Sequence, residues 1–164
     1  MRNQLYFICP TDYLENVIER TFQEEKYFYT SLGNSVSFDA QSVGQFSEFL
    51  EKRLIGEISF ILSTDNRIIL ESLQKKQICR IKGLQSFHAE ITKQKKQVEL
   101  VWQTQDYPFL LVSYYLNSRI KALRKVLSYT ASHFNITGKI YVRSKKTFKD
   151  IYFDPMCRQS IALN

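Results

Sequence analysis

Three times before Gln74 the chain runs from a short apolar stretch through a polar turn into apolar residues spaced three or four apart. That repetition constrains the fold more than any other feature. Gln4 to Cys9 is an apolar run closed by Pro10, followed by Leu14, Ile18 and Phe22 at helical spacing, with Thr11 or Asp12 as N-cap and Glu15 three residues beyond Asp12. Tyr27 to Thr30 leads into the turn Ser31 to Ser35, whose Gly33 can take a left-handed conformation. Val43, Phe46, Leu50 and Leu54 then mark a helix of about fourteen residues that Gly56 ends. Glu57 to Leu62 is the clearest strand, followed by the turn Ser63 to Arg67 and a helix carrying Ile69 and Leu73.

Successive strand–turn–helix units predict a parallel sheet with right-handed crossovers, and a parallel sheet needs helices on both faces. The rest of the chain is expected to supply them. Residues 84–106 read as helix first and then as extended chain at Val98, Leu100 and Trp102, while Leu116, Ile120, Leu123 and Leu127 form an amphipathic stripe from about Val112 to Phe134. Gly138 to Arg143 and Thr147 to Phe153 alternate like a hairpin turned at Ser144 to Lys146. The expected fold class is therefore α/β, a parallel β-sheet core flanked by helices with a C-terminal strand hairpin.

One domain over residues 1–164 is expected, since this length buries a core without a disulfide or metal staple. With 44% hydrophobic and 24% charged residues and only five glycines and three prolines, the composition is that of a folded chain. No apolar run is long enough to span a bilayer, and Leu5 to Ile8 is too short for the core of an export signal, so membrane insertion is not expected. Cys9, Cys79 and Cys157 then read as reduced thiols in a cytoplasmic protein. The net charge of +7 gathers at Lys93, Lys95 and Lys96 and at Lys121, Arg124 and Lys125. These are read as solvated helix faces and not as a nucleic-acid surface, because exposed aromatics for base stacking do not accompany them.

Ligands of an open parallel sheet sit outside the carboxyl ends of its strands. Here those ends are Cys9-Pro10-Thr11-Asp12, Thr30-Ser31-Leu32-Gly33-Asn34 and Leu62-Ser63-Thr64-Asp65-Asn66. In order and spacing they resemble the turns of the β-class carbonic anhydrases: Cys-x-Asp-x-Arg, then Arg-Asn-x-Gly-Asn, then Gly-His-x-Asp-Cys-Gly. The resemblance extends from Leu5 to Phe153, with Asn117 and Leu123 in a long late helix and Gly138 to Tyr141 in a closing strand. It implies dimers built across sheet edges and helices, and a zinc held by two Cys and one His.

The resemblance departs from the family where the metal would sit. Cys9 keeps the first ligand position, but Ser63 stands at the His position and Asn66 at the second Cys position. The Asp that switches the family's metal falls on Thr11, with Asp12 one step off register, and its Arg partner falls on Tyr13. A neutral hydroxyl and a neutral amide replace neither the softness nor the charge of imidazole and thiolate. No bound cofactor is therefore expected, zinc included, because a rebuilt site would need Asp12, Asp65, His88 or His133.

The candidate pocket comprises Cys9, Thr11, Asp12, Asn34, Ser63, Asp65, Asn66 and Arg67. One reading is a metal-free site for a small anion such as bicarbonate, with Arg67 giving charge and Ser63 and Asn66 giving hydrogen bonds. The other makes these residues ordinary turn and cap positions. Cys9 reads either as a reactive thiol at a helix start or as a small buried apolar residue. The function expected is that of a non-catalytic carbonic-anhydrase-like binding or regulatory subunit, a pseudoenzyme acting as a homo-oligomer or on a protein partner. The alternatives are an active zinc lyase with a rebuilt site and a metal-free anion-binding protein.

Overall fold

The computed structural model describes residues 3–36, 40–74, 84–101, 107–127 and 134–152. Among the described residues five strands form one sheet: β1 (Asn3–Ile8), β2 (Lys26–Thr30), β3 (Ile55–Ser63), β4 (Asn135–Val142) and β5 (Thr147–Asp150). Their order is β2-β1-β3-β4-β5. The first three pairings across the sheet are parallel and β4–β5 is antiparallel, as the three βα units and the closing hairpin predict. The α-helices are α1 (Glu15–Thr21), α2 (Ala40–Lys52), α3 (Arg67–Leu73), α4 (Gln85–Val101) and α5 (Tyr107–Val126).

Because side chains alternate along a strand, β1 and β3 feed two cores. Leu5, Phe7 and Cys9 of the first strand segment and Ile58, Phe60 and Leu62 of β3 pack with Leu50, Ile69, Phe87, Ile91, Leu116 and Ile120, so the larger core lies under α2 to α5. Tyr6, Ile8 and Ile61 face the other way, against Leu14 and Ile18 of the α1 region and Tyr141. A central strand buried on both faces reads as a continuous apolar run, which is why Leu5 to Ile8 and Ile58 to Leu62 are legible without any alternation.

Several boundaries depart from the sequence reading. α2 stops at Lys52, and Leu54, expected on its buried stripe, is instead 71% exposed in a left-handed conformation with φ 50°. Gly56 does not end the helix; it lies buried inside β3. The stretch within 84–106 expected to become extended at Val98 and Leu100 stays helical through Val101. The buried series Leu84, Phe87, Ile91 and Gln94 keeps the 3.6-residue period, and a helix once nucleated propagates more readily than two alternating residues can start a strand. Helix α5 begins at Tyr107 instead of Val112, and β5 ends at Asp150. Trp102, His133 and Phe153 lie outside the described residues, as do Cys79 and Cys157.

Candidate functional site

At the carboxyl ends of β1, β2 and β3 the chain makes three tight turns, and these bring most of the candidate residues together. Pro10–Asp12 and Leu32–Asn34 are single 3-10 turns, while Ser63 to Asn66 leads into α3. The sequence pattern offers Asp12 as a cap for the first helix. It caps nothing there: α1 begins at Glu15 behind Leu14 with no side-chain cap. Its carboxyl turns inward, 1% exposed, because better partners lie across the sheet. Asp12 Oδ2 accepts from the Ser63 backbone N–H at 2.9 Å, and Oδ1 accepts from Asn66 Nδ2 at 2.9 Å and faces Ser63 Oγ at 3.1 Å. Asn66 is held from behind, since its Oδ1 accepts the Ile69 N–H at 3.0 Å and so caps α3.

The Ser63 hydroxyl has one hydrogen and two carboxyl neighbours, Asp12 at 3.1 Å and Asp65 Oδ1 at 2.5 Å. With one hydrogen the hydroxyl can donate to only one of the two at a time, and the contact with Asp65 is the shorter. Burial pushes the Asp12 carboxyl above the ordinary carboxylate range, more than the Ser63 N–H, the Asn66 amide, the Ser63 hydroxyl and the Arg143 charge pull it down. At Asp65 burial also pushes upward, but hydrogen bonds from Ser63 and Arg143 together with the Arg143 charge outweigh it and hold this carboxyl below its usual range.

Arg143 is the site residue that the sequence reading missed. Its Nε lies 3.0 Å and 3.3 Å from the two Asp65 oxygens and its Nη2 donates to the Asp12 carbonyl at 3.1 Å, which ties β4 to the first and third turns. A signal for it exists in the sequence, because Arg143 directly follows β4, the fourth parallel strand, whose carboxyl end lies beside those of the first three. The ion pair itself is half exposed on both sides and adds little stability, so its part is to orient.

Cys9 and Asn34 form a second, apolar compartment. Cys9 is a free, fully buried thiol whose Sγ accepts the Gly33 N–H at 3.1 Å and lies 3.1 Å from Thr11 Oγ1. Tyr115 of α5 donates to the Gly33 carbonyl at 2.7 Å, and Asn34 Nδ2 donates to the Ile61 carbonyl at 3.0 Å, leaving its buried Oδ1 without a partner among the described residues. Gly33 takes φ +59°, and a Cβ there would sit 2.5 Å from the Phe87 ring. Gly33→Ala is accordingly expected to cost about 2 kcal/mol in urea denaturation, combining left-handed strain with displacement of a packed ring.

Arg67 does not join the cluster. Its side chain is 78% exposed and pairs with Glu71 one turn along α3 at 2.6 Å. His88 lies on α4, and its buried Nε2 has no hydrogen-bond partner among the described residues. Among the described residues no three of His, Cys, Asp and Glu gather in a group that could hold a metal ion. The donor set that does converge does not fit zinc: the one sulfur is already engaged by a backbone N–H, and the amide and hydroxyl are spent on a carboxyl group.

The fold is that of the β-carbonic anhydrases. The chain superposes on a cysteine-to-alanine mutant of CafD from Aspergillus fumigatus with a TM-score of 0.72 and 15% identity, covering 93% of this chain and 90% of that one. For the tetrameric β-carbonic anhydrases of Sordaria macrospora the TM-score is 0.70 at 10% identity, over 93% of this chain and 81% of that one. The Coccomyxa enzyme in complex with acetazolamide gives 0.69 at 11% identity, over 99% and 85%. No family model matches the sequence. No curated protein matches it either.

Proposed function

We propose that this β-carbonic-anhydrase fold has given up metal chemistry and serves as a non-catalytic binding or regulatory subunit. One observation carries the reading: Ser63 and Asn66, which stand where the resemblance puts the second and third zinc ligands, both hold the Asp12 carboxyl. Zinc lowers the pKa of its bound water to about 7 when three protein ligands fix the ion and leave a fourth position open. Cys9 with two neutral, already engaged side chains offers no such cradle.

Metal content of the untagged protein by elemental mass spectrometry, with CO₂ hydration by stopped flow, tests the reading. The expected result is zinc far below one per chain and hydration at background. Near-stoichiometric zinc that disappears in Cys9→Ser, together with hydration, would instead establish the rebuilt zinc lyase. Self-association belongs to the same proposal. The Sordaria structures are tetrameric, and among the described residues β2 pairs on one side only, leaving an open sheet edge beside the exposed Tyr29. A monomer in light scattering at working concentrations removes that part. Among the described residues no helix is long and apolar enough to cross a membrane. The free Cys9 thiol fits the cytoplasmic setting that the reading assumes.

A further inference from the structure

Asp12, Ser63 and Asn66 are each 1% exposed or less, yet all the polar contacts of the Asp12 carboxyl come from a different part of the chain. The carboxyl arrives from the turn after β1, and its partners sit at the end of β3 and the start of α3. A backbone N–H and a side-chain amide, aimed at the two oxygens of one planar group, with a hydroxyl beside them, form a receptor for a carboxyl group. The Ser63 and Asn66 donors are held in place independently of Asp12. Ser63 lies within the β3 ladder, and Asn66 is fixed by its cap to Ile69. Removing the carboxyl would therefore leave a shaped void with its donors still pointing inward.

We propose that the strand-end pocket is a receptor for a small planar carboxylate and that its resident ligand is the chain's own Asp12. This rests on the metal-free reading of the site and names the ligand class that such a site takes. Formate and bicarbonate match the two-oxygen face of the Asp12 side chain, whereas pivalate is too bulky for a space that one carboxyl fills. In the native chain the resident group keeps external anions out, because its effective concentration in the pocket exceeds that of any free ion. Arg67 contributes nothing to recognition, since its guanidinium is engaged with Glu71.

The test is thermal unfolding of Asp12→Ala in sodium formate, with bicarbonate as a second probe and chloride and pivalate at equal ionic strength as controls. Formate should raise the midpoint saturably, by about 3–5 °C at tenfold its dissociation constant, and pivalate should not. Wild type and Asp12→Asn, whose pockets are filled, should respond to formate no more than to chloride. A folded Asp12→Ala that ignores both formate and bicarbonate overturns the proposal, as does an equal response in wild type. Should Asp12→Ala not fold in chloride, its refolding from urea in formate against chloride reads the same equilibrium: recovery in formate alone supports the receptor and no recovery overturns it. Zinc is measured on the same samples. Stoichiometric metal sinks the metal-free reading, whereas metal-free protein that ignores formate sinks the receptor alone.

Discussion

Phe7→Ala is expected to lose about 3–5 kcal/mol of folding stability, the largest single-site effect anticipated in this chain. Phe7 lies in the middle of β1, the strand paired on both sides, and is fully buried. Its ring stacks on Phe60 of β3 at 4.6 Å and 13° and meets Tyr29 of β2 at 5.1 Å and Phe46 of α2 at 5.8 Å. Truncation therefore removes transfer free energy and leaves a void bordered by two strands and a helix, which cannot all close in at once. Urea denaturation followed by far-UV circular dichroism measures it. A loss below about 1 kcal/mol would mean that the aromatic layer of β1, β2 and β3 relaxes freely and is not the centre of the fold.

Asp12→Asn is expected to cost about 2–4 kcal/mol although it changes one atom and almost no volume. An amide must turn its NH₂ toward either the Ser63 N–H or the Asn66 Nδ2, both of which are donors. Asn66 cannot flip to accept, because its oxygen caps Ile69. The pH dependence separates this from a general packing defect. A carboxyl whose folded pKa is raised contributes stability that is fully present below its ordinary pKa and is lost as pH rises through the folded value. Asp65, held below its usual range, works in the opposite direction and contributes above that range, losing its share as pH falls. The deficit of Asp12→Asn relative to wild type should therefore shrink over the span above the ordinary carboxylate range, as the raised carboxyl titrates. Paired urea curves across that span check it, and a deficit that grows with pH would show Asp12 to be an ordinary ionised carboxylate.

Much of the fold was legible from residue pattern. The run Ile58 to Leu62 and the stripe Leu116, Ile120, Leu123 and Leu127 are buried as their periods require, because burial of apolar area is a local property of spacing. The left-handed turn at Gly33 was legible for the same reason, since glycine tolerates that conformation at low cost. Leu54 was not. A leucine at positive φ gives no sequence signal, and its departure from the α2 stripe follows from the chain turning into β3, whose start at Ile55 is tied to β1 by pairing and by the Asn3 N–H to the Leu54 carbonyl at 3.2 Å.

At the site the division is sharper. The sequence by itself put a hydroxyl at Ser63 and an amide at Asn66 where the resemblance expects imidazole and thiolate, and neither has the softness or charge of the group it replaces. It also assembled Cys9, Asp12, Ser63, Asp65 and Asn66 as neighbours, because the carboxyl ends of adjacent parallel strands lie side by side. Only the tertiary structure decided how they are used. Asp12 serves Ser63 and Asn66 instead of its own helix, Arg143 enters from β4, and Arg67 leaves for Glu71. Hydrogen bonds are directional within a few tenths of an ångström, and partners from 51 to 131 residues away compete on distances that no local pattern encodes.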